Sequence, residues 1–225
     1  MEDSRPTADP QSILLFMTTE HFNLQTARGV VNAEITSRLQ LFVSSLSGTI
    51  ITLALAAQLS AMGSPFWTFA LILLPTVYFL GLVTLVRILQ ASDEWRIYGP
   101  GMGRIRHYYV ELAPQMRPYF VMPTTDDVRA NLAAIGIRSR AWWQPLLTAG
   151  MLIVVMDSIV AGAFVGLLLS IVQPLGTAVS VTCGVAGFVV SLVVLYLLQH
   201  RMFTGAMTSL PTVFPEAPRN ESTTT

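Results

Sequence analysis

Charged residues are missing from two long stretches of this 225-residue chain. No Asp, Glu, Lys or Arg occurs in the 48 residues from Leu39 to Val86, and Asp157 is the single charged residue among the 60 from Ala141 to His200. A helix needs about 20 apolar residues to cross the hydrocarbon core of a bilayer. Each stretch is therefore long enough for two membrane spans, and the pattern argues against a soluble globular fold.

Glycine and proline divide each uncharged stretch into a pair of predicted spans. The breaks are Met62-Gly63-Ser64-Pro65 and Gln173-Pro174-Leu175-Gly176, and such combinations mark turns between helices. The sequence therefore predicts an all-α, four-helix transmembrane protein made of two helical hairpins. The first hairpin, 39–89, contains spans at 39–61 and 66–89, and the second, 141–200, contains spans at 145–172 and 177–199.

The segments outside the spans are expected to lie in the cytoplasm. They are a polar N-terminal segment over 1–17, a helix over 18–38 that continues into the first span, a helical loop over 90–140 and a disordered tail over 201–225. In the loop, residues 99–104 are expected to form a hinge, and the apolar spacing after it predicts two short helices. Pro114 ends the first helix, and a capping box from Thr124 to Asp127 begins the second.

The arginines set the expected orientation. All 13 basic residues are arginine, and the two short turns carry none. Because cytoplasmic loops are enriched in basic residues, both termini and the 90–140 loop are expected inside the cell, with the spans in the inner (plasma) membrane. Arg104 and Arg106 are expected to contact lipid headgroups, and Trp142 and Trp143 to lie at the membrane interface. The alternative is a helical pair in the loop that packs on the N-terminal helix.

Asp157 is the strongest candidate for a functional residue because it lies near the middle of the third predicted span. A charge at that depth costs roughly 2.5–3.5 kcal/mol on insertion scales. One interpretation is a carboxylate in a pore or proton path, and the other is a protonated aspartate hydrogen-bonded to a tyrosine or threonine. The candidate polar residues within the membrane are Asp157, Ser44, Ser47, Thr49, Thr52 and Tyr78.

Small residues recur at four-residue spacing in three of the spans. The pairs are Ser44 with Gly48, Gly162 with Gly166, and Ser180 with Gly184, and this spacing lets helices approach closely in a membrane. Gly48, Gly162, Gly166 and Gly184 are thus expected to pack helices, either inside one molecule or between copies. The serines and threonines of the first span suit a water-lined surface and hydrogen bonding between helices equally well.

The sequence contains no pattern of residues that is typical of an enzyme active site, so we do not expect an enzyme. No nucleophile, base and orienting group occur at matching depth, no cofactor motif is complete, and no metal site is expected. His107 and Glu111 stand at i, i+4, a spacing that is typical of an ion pair on a helix surface.

Two segments carry a resemblance to known proteins. LQTARGVVNAEITSRLQLFVSSLSG and RIRHYYVELAP resemble segments of uncharacterised multi-pass membrane proteins of actinobacteria, over about residues 18–200, a group whose resemblance implies no activity. The layout of a cytoplasmic helix that runs into a transmembrane hairpin is loosely similar to the SLATT membrane effectors of bacterial conflict systems, which are expected to form pores. Four spans here replace the two of that group.

Two functions are compatible with these features. The first is a homo-oligomeric channel or pore-like protein, because four spans enclose too little volume for a transporter with alternating halves and a path would form between copies. The alternative is a non-conducting anchor or scaffold whose cytoplasmic loop binds a protein partner. The expected partners are the lipid bilayer and further copies of the chain, and no nucleic acid.

Overall fold

The computed structural model describes residues 9–136, 148–172, 176–206 and 211–215. Within these residues the fold is all-α, as the sequence predicts, and contains no strand. The helices are α1 (Pro10–Leu59), α2 (Ser64–Leu112), a 3-10 helix (Pro114–Tyr119), α3 (Val128–Ala134), α4 (Ala149–Val172) and α5 (Thr177–Ala206).

Four of these helices are long and apolar enough to cross a membrane: α1, α2, α4 and α5. This confirms the prediction of four spans and indicates a membrane location. The turn between α1 and α2 has Ala61 and Met62 at positive φ, 45° and 63°. Gly63 follows, where an added Cβ would lie 2.8 Å from the Ser60 carbonyl oxygen, so the tight reversal requires glycine at this position.

The chain forms two compact units. Unit 1 comprises residues 1–32, 94–141 and 210–225, and unit 2 comprises residues 33–93 and 142–209. The apolar core of unit 2 is centred on side chains with almost no exposed surface from three of its helices: Phe42, Leu85, Ile88, Ile153 and Val154. Unit 1 contains α3 and the loops around it.

The structure differs from the prediction of a hinge at 99–104, because α2 continues without a break to Leu112. The glycines there allow close packing instead of bending. An added Cβ at Gly103 would overlap the Thr125 carbonyl group, and one at Gly99 would lie 3.6 Å from Asn131 Cβ. The first helix predicted for the loop is therefore the last part of α2.

The second predicted helix of the loop starts later than its capping box suggests. Asp127, not Thr124, is the N-cap of α3, and its Oδ1 accepts a hydrogen bond from the Arg129 N–H at 2.8 Å. The Thr124 carbonyl lies 3.2 Å from His107 Nδ1. Contacts with α2 therefore fix the backbone of Thr124 outside the helix.

The structure also differs from a disordered tail that starts at residue 201. Arg201–Ala206 continue α5, and Pro211–Pro215 make defined contacts in unit 1. Trp142 and Trp143, the start of the third predicted span at Pro145, and the turn residues 173–175 lie outside the described residues.

Candidate functional site

Asp157 of α4 lies fully inside unit 2, with 0% of its surface exposed. Neither of its carboxyl oxygens has a hydrogen-bond partner among the residues that the structure describes. A buried polar group without a partner is rare in folded proteins and costs free energy. The position therefore stands out from the core of unit 2, which is mainly apolar.

Gly81 of α2 is what makes room for this carboxyl group. A Cβ at residue 81 would overlap the Asp157 carboxylate, so only glycine fits against it. The next residue, Ser158, is equally buried, but its hydroxyl donates to the Val154 carbonyl at 2.6 Å. Of these two adjacent polar residues, only Asp157 is left without a partner.

The hydrogen bond considered from the sequence, between Asp157 and Tyr78, is not formed. The Tyr78 hydroxyl lies 3.4 Å from Ser191 Oγ, so it joins α2 to α5. Thr49 is buried on α1, and the Thr52 hydroxyl donates to the Gly48 carbonyl at 2.9 Å. None of these three residues reaches Asp157 with a hydrogen bond.

The other polar candidates of the first span lie together on an exposed face of α1. We call this the hydroxyl face, and it consists of Ser44, Ser45, Ser47, Gly48 and Thr52, all of them exposed. Phe42 and Thr49 occupy the opposite, buried side of the helix. The structure therefore separates Asp157, which is inside the unit, from the hydroxyl face, which is outside it.

The hydroxyl face differs in chemistry from the comparably open surface of α5. In the most apolar 18 residues of α1 and of α5, only 11% of the residues are buried, whereas 33% are buried in the corresponding stretches of α2 and α4. The exposed residues of α5 are mainly aliphatic, among them Val181, Val185, Val189 and Val193, and such a surface suits lipid. The hydroxyl face instead combines polar side chains with a glycine that has no atom within 4 Å of an added Cβ, and exposed apolar residues such as Ile51 and Leu55 lie beside it.

The small residues of α4 and α5 pack these two helices against each other. An added Cβ at Gly162 would lie 2.8 Å from the Gly184 carbonyl oxygen, and one at Gly166 would lie 3.6 Å from Gly184 Cα. The groove beside this contact is lined by small and aliphatic residues and by Phe188, and Ser170, Thr177 and Ser180 are its polar members. Since no ionisable side chain lines it, the groove offers no acid–base chemistry.

Arg104 and Arg106, the predicted headgroup contacts, both bind protein groups in unit 1. Arg104 Nε lies 2.8 Å from Asp126 Oδ2, and Arg106 Nη1 donates to the Pro123 carbonyl at 3.2 Å. Burial lowers the pKa of Arg106, and the nearby charge of Arg28 lowers it further. The guanidinium of Arg28 lies 4.1 Å above the ring of Trp95, a favourable cation–π arrangement.

Asp126 is a second buried carboxylate, and reasoning from the sequence did not single it out. Its oxygens accept hydrogen bonds from Arg104 and from the backbone N–H groups of Val213 and Phe214. Burial alone would raise the pKa of Asp126, but these backbone hydrogen bonds and Arg104 outweigh it, so the pKa lies below its usual value of 3.8. No sequence pattern predicts these partners, which lie almost 90 residues further along the chain.

No group of three or more His, Cys, Asp or Glu side chains in the described part of the chain is placed to hold a metal ion. His107 Nε2 lies 3.4 Å from Glu111 Oε1, which agrees with the i, i+4 pair read from the sequence.

Comparison of the chain with protein-family models, with curated proteins and with solved structures gives no match. The fold alone therefore defines the class, an all-α protein with four helices suited to span a membrane.

Proposed function

We propose that this protein is a homo-oligomeric channel or pore-like protein of the plasma membrane, with both termini and the 90–140 loop in the cytoplasm. The observation that carries this proposal is the hydroxyl face of α1. A lipid-facing helix surface gains nothing from hydroxyl groups and glycine, whereas contact with another helix or with water uses both. Copies of the chain that meet along α1 would cover this face and could leave a polar path between them.

The hydroxyl groups can line such a path without breaking the helix. Ser47 donates to the Val43 carbonyl at 2.8 Å, and Thr52 donates to the Gly48 carbonyl at 2.9 Å. Each hydroxyl oxygen keeps its lone pairs available for water or a cation, because it acts only as a donor in these bonds. The proposed path is therefore lined by acceptors.

Asp157 would influence the path from inside each subunit. Its carboxyl group contacts Gly81 and has no hydrogen-bond partner in the described residues. Because a buried charge without donors is costly, ionisation of Asp157 would favour movement of α2 or α4, or entry of water. We propose that this contact controls how the spans pack.

Ion flux into liposomes tests the proposal. Thr52→Val removes one hydroxyl of the hydroxyl face at nearly constant shape and should lower the flux. Thr182→Val is the matched control, since Thr182 is also exposed and donates to the carbonyl four residues earlier at 2.8 Å, but on α5. Flux should also change with Asp157→Asn. Equal flux in both threonine variants would contradict the role of the hydroxyl face.

The second candidate is a non-conducting anchor or scaffold, and the contacts of unit 1 favour it. Asp126, Arg104 and His107 hold a separate segment of the chain, which supports the proposal that this unit binds a protein partner. Absence of flux for the wild-type protein in every lipid and pH condition would favour this candidate over the channel.

A further inference from the structure

The segment Pro211–Pro215, called the tail segment below, lies against the loop that precedes α3. Both carboxyl oxygens of Asp126 hold it: Oδ2 accepts the Val213 N–H at 2.7 Å, and Oδ1 accepts the Phe214 N–H at 2.8 Å. The Asp126 N–H in turn donates to the Phe214 carbonyl at 3.4 Å. The tail segment, which bends at Val213 and Phe214, thus donates two main-chain N–H groups to Asp126 and accepts one hydrogen bond from its backbone.

Arg104 connects the carboxylate to the start of the tail segment. Its Nε donates to Asp126 Oδ2 at 2.8 Å, and its Nη2 donates to the Pro211 carbonyl at 2.7 Å. The guanidinium therefore holds the carboxylate in place and binds one peptide carbonyl at the same time. A planar guanidinium with several fixed donors is well suited to this double role.

His107 supplies the contact with a side chain. Its ring stacks on the ring of Phe214, with 4.1 Å between the centroids and 22° between the planes. His107 Nδ1 also lies 3.2 Å from the Thr124 carbonyl, which fixes the ring against the loop. Aromatic pairs add stabilisation beyond the area they bury, so this contact selects an aromatic residue at the fourth position of the tail segment.

The binding surface has its own internal supports. Asn131 Nδ2 donates to the carbonyls of Thr125 and Asp127, at 3.0 and 2.9 Å, and Gly103 lets the loop approach α2 closely. These contacts involve no residue of the tail segment. Part of the binding surface is therefore held in place by contacts that do not involve the tail segment.

We propose that Arg104, His107 and Asp126 form a binding site for a peptide of the pattern Pro-x-x-Phe, whose present occupant is the tail segment of the chain. The site binds two carbonyls and two N–H groups of the backbone and one aromatic ring. The same segment supplied by a second molecule, or by a synthetic peptide, binds once the chain's own tail segment is displaced. This proposal does not rest on the proposed function, because it concerns unit 1 alone.

The test uses the full-length protein in nanodiscs and a fluorescent peptide, Pro-Thr-Val-Phe-Pro with blocked ends. Val213→Pro combined with Phe214→Ala vacates the site, because it removes one N–H donor and the aromatic ring without touching the helices. The peptide should bind this variant at least about tenfold more tightly than the wild type, in which the tethered segment competes at high effective concentration. The matched probe Pro-Thr-Val-Ala-Pro should bind the variant at least about tenfold more weakly.

Hydrogen exchange tests the same site without the vacated variant, so the test holds even if that variant is unstable. Hydrogen exchange at the amides of Val213 and Phe214 in the wild type should be slower than in the single variant Phe214→Ala by about tenfold or more. Thr212→Ala, which changes neither the ring nor the two N–H donors, should leave the exchange unchanged. Equal binding of the two peptides, no binding to the vacated variant, or unprotected amides in the wild type would each overturn the proposal.

Discussion

Asp126 and Asp157, the two buried aspartates among the residues that the structure describes, have opposite surroundings. Asp126 in unit 1 accepts hydrogen bonds from a guanidinium and two backbone N–H groups, whereas Asp157 in unit 2 has no such partner in the described residues and lies against a glycine. A buried charge is stable where donors surround it and costly where they do not. Asp126 therefore holds the tail segment through hydrogen bonds, whereas the carboxyl group of Asp157 is buried without any such bond to the described part of the chain.

The largest expected effect comes from filling the space beside Asp157. Gly81→Ala should destabilise the protein by about 1–3 kcal/mol, because the new methyl group overlaps the carboxylate in a packed core. Unfolding in detergent, followed by circular dichroism, measures this change. Gly29→Ala is the control, since Gly29 of α1 has no atom within 4 Å of an added Cβ, and it should be neutral or stabilising.

A double variant shows whether the carboxylate itself causes that loss. Asp157→Ala in the Gly81→Ala background should recover part of the lost stability, because the two side chains no longer overlap. Additive losses in the double variant would mean that Gly81 is required for some other contact.

An effect of similar size, limited to the docking of the tail segment, is expected when Asp126 is weakened as a hydrogen-bond acceptor. Asp126→Asn replaces one acceptor oxygen with an amide donor, so one of the two N–H groups of the tail segment loses its partner. Docking of the tail segment should weaken by about 1–3 kcal/mol, which appears as faster hydrogen exchange at Val213 and Phe214. Unchanged exchange at these two amides would remove Asp126 from the recognition of the tail segment.

Replacing Asp157 with its uncharged isostere should change stability less than either variant above. If Asp157 is neutral in the folded protein, Asp157→Asn exchanges one uncharged polar group for another of the same shape, and the change should stay below about 1 kcal/mol. Chemical denaturation in detergent measures it. A gain of several kcal/mol would show that the native side chain carries an unpaired charge.

The smallest effect is expected from pH on the tail segment. Because hydrogen bonds lower the pKa of Asp126 in the docked state below the usual 3.8, the contribution of this carboxylate is complete above that value and is lost as pH falls through the lowered pKa. Between about pH 5 and 8 its contribution should therefore stay constant. Resistance of the tail segment to proteolysis measures docking as the pH is varied.

Sequence reasoning found the parts of the fold that depend on composition along the chain. The uncharged stretches predicted the four spans because burial in lipid excludes charge over a fixed length. The same reasoning did not predict that α2 continues through 99–104. The glycines there allow close contact with Thr125 and Asn131, and contacts between residues distant in the sequence leave no local pattern.

The candidate sites divide in the same way. Asp157 was recognisable because it is the one charge inside a long apolar stretch. The site around Asp126 was not, because it depends on a hydrogen bond between residues far apart in the sequence and on a tail segment that carries no periodic pattern. Likewise, the four-residue spacing of small residues does not distinguish packing within one molecule from an exposed surface. Gly162 and Gly184 pack α4 against α5, whereas Gly48 is exposed on α1.

The number of subunits in a native membrane extract tests the proposed assembly along α1 most directly. Native mass spectrometry of the wild type should find more than one copy, and Gly48→Leu, which places a large side chain on the hydroxyl face, should reduce that number. Ala186→Leu, on the exposed surface of α5, should leave it unchanged. A strictly monomeric wild type, or an assembly that tolerates Gly48→Leu as well as Ala186→Leu, would contradict the account.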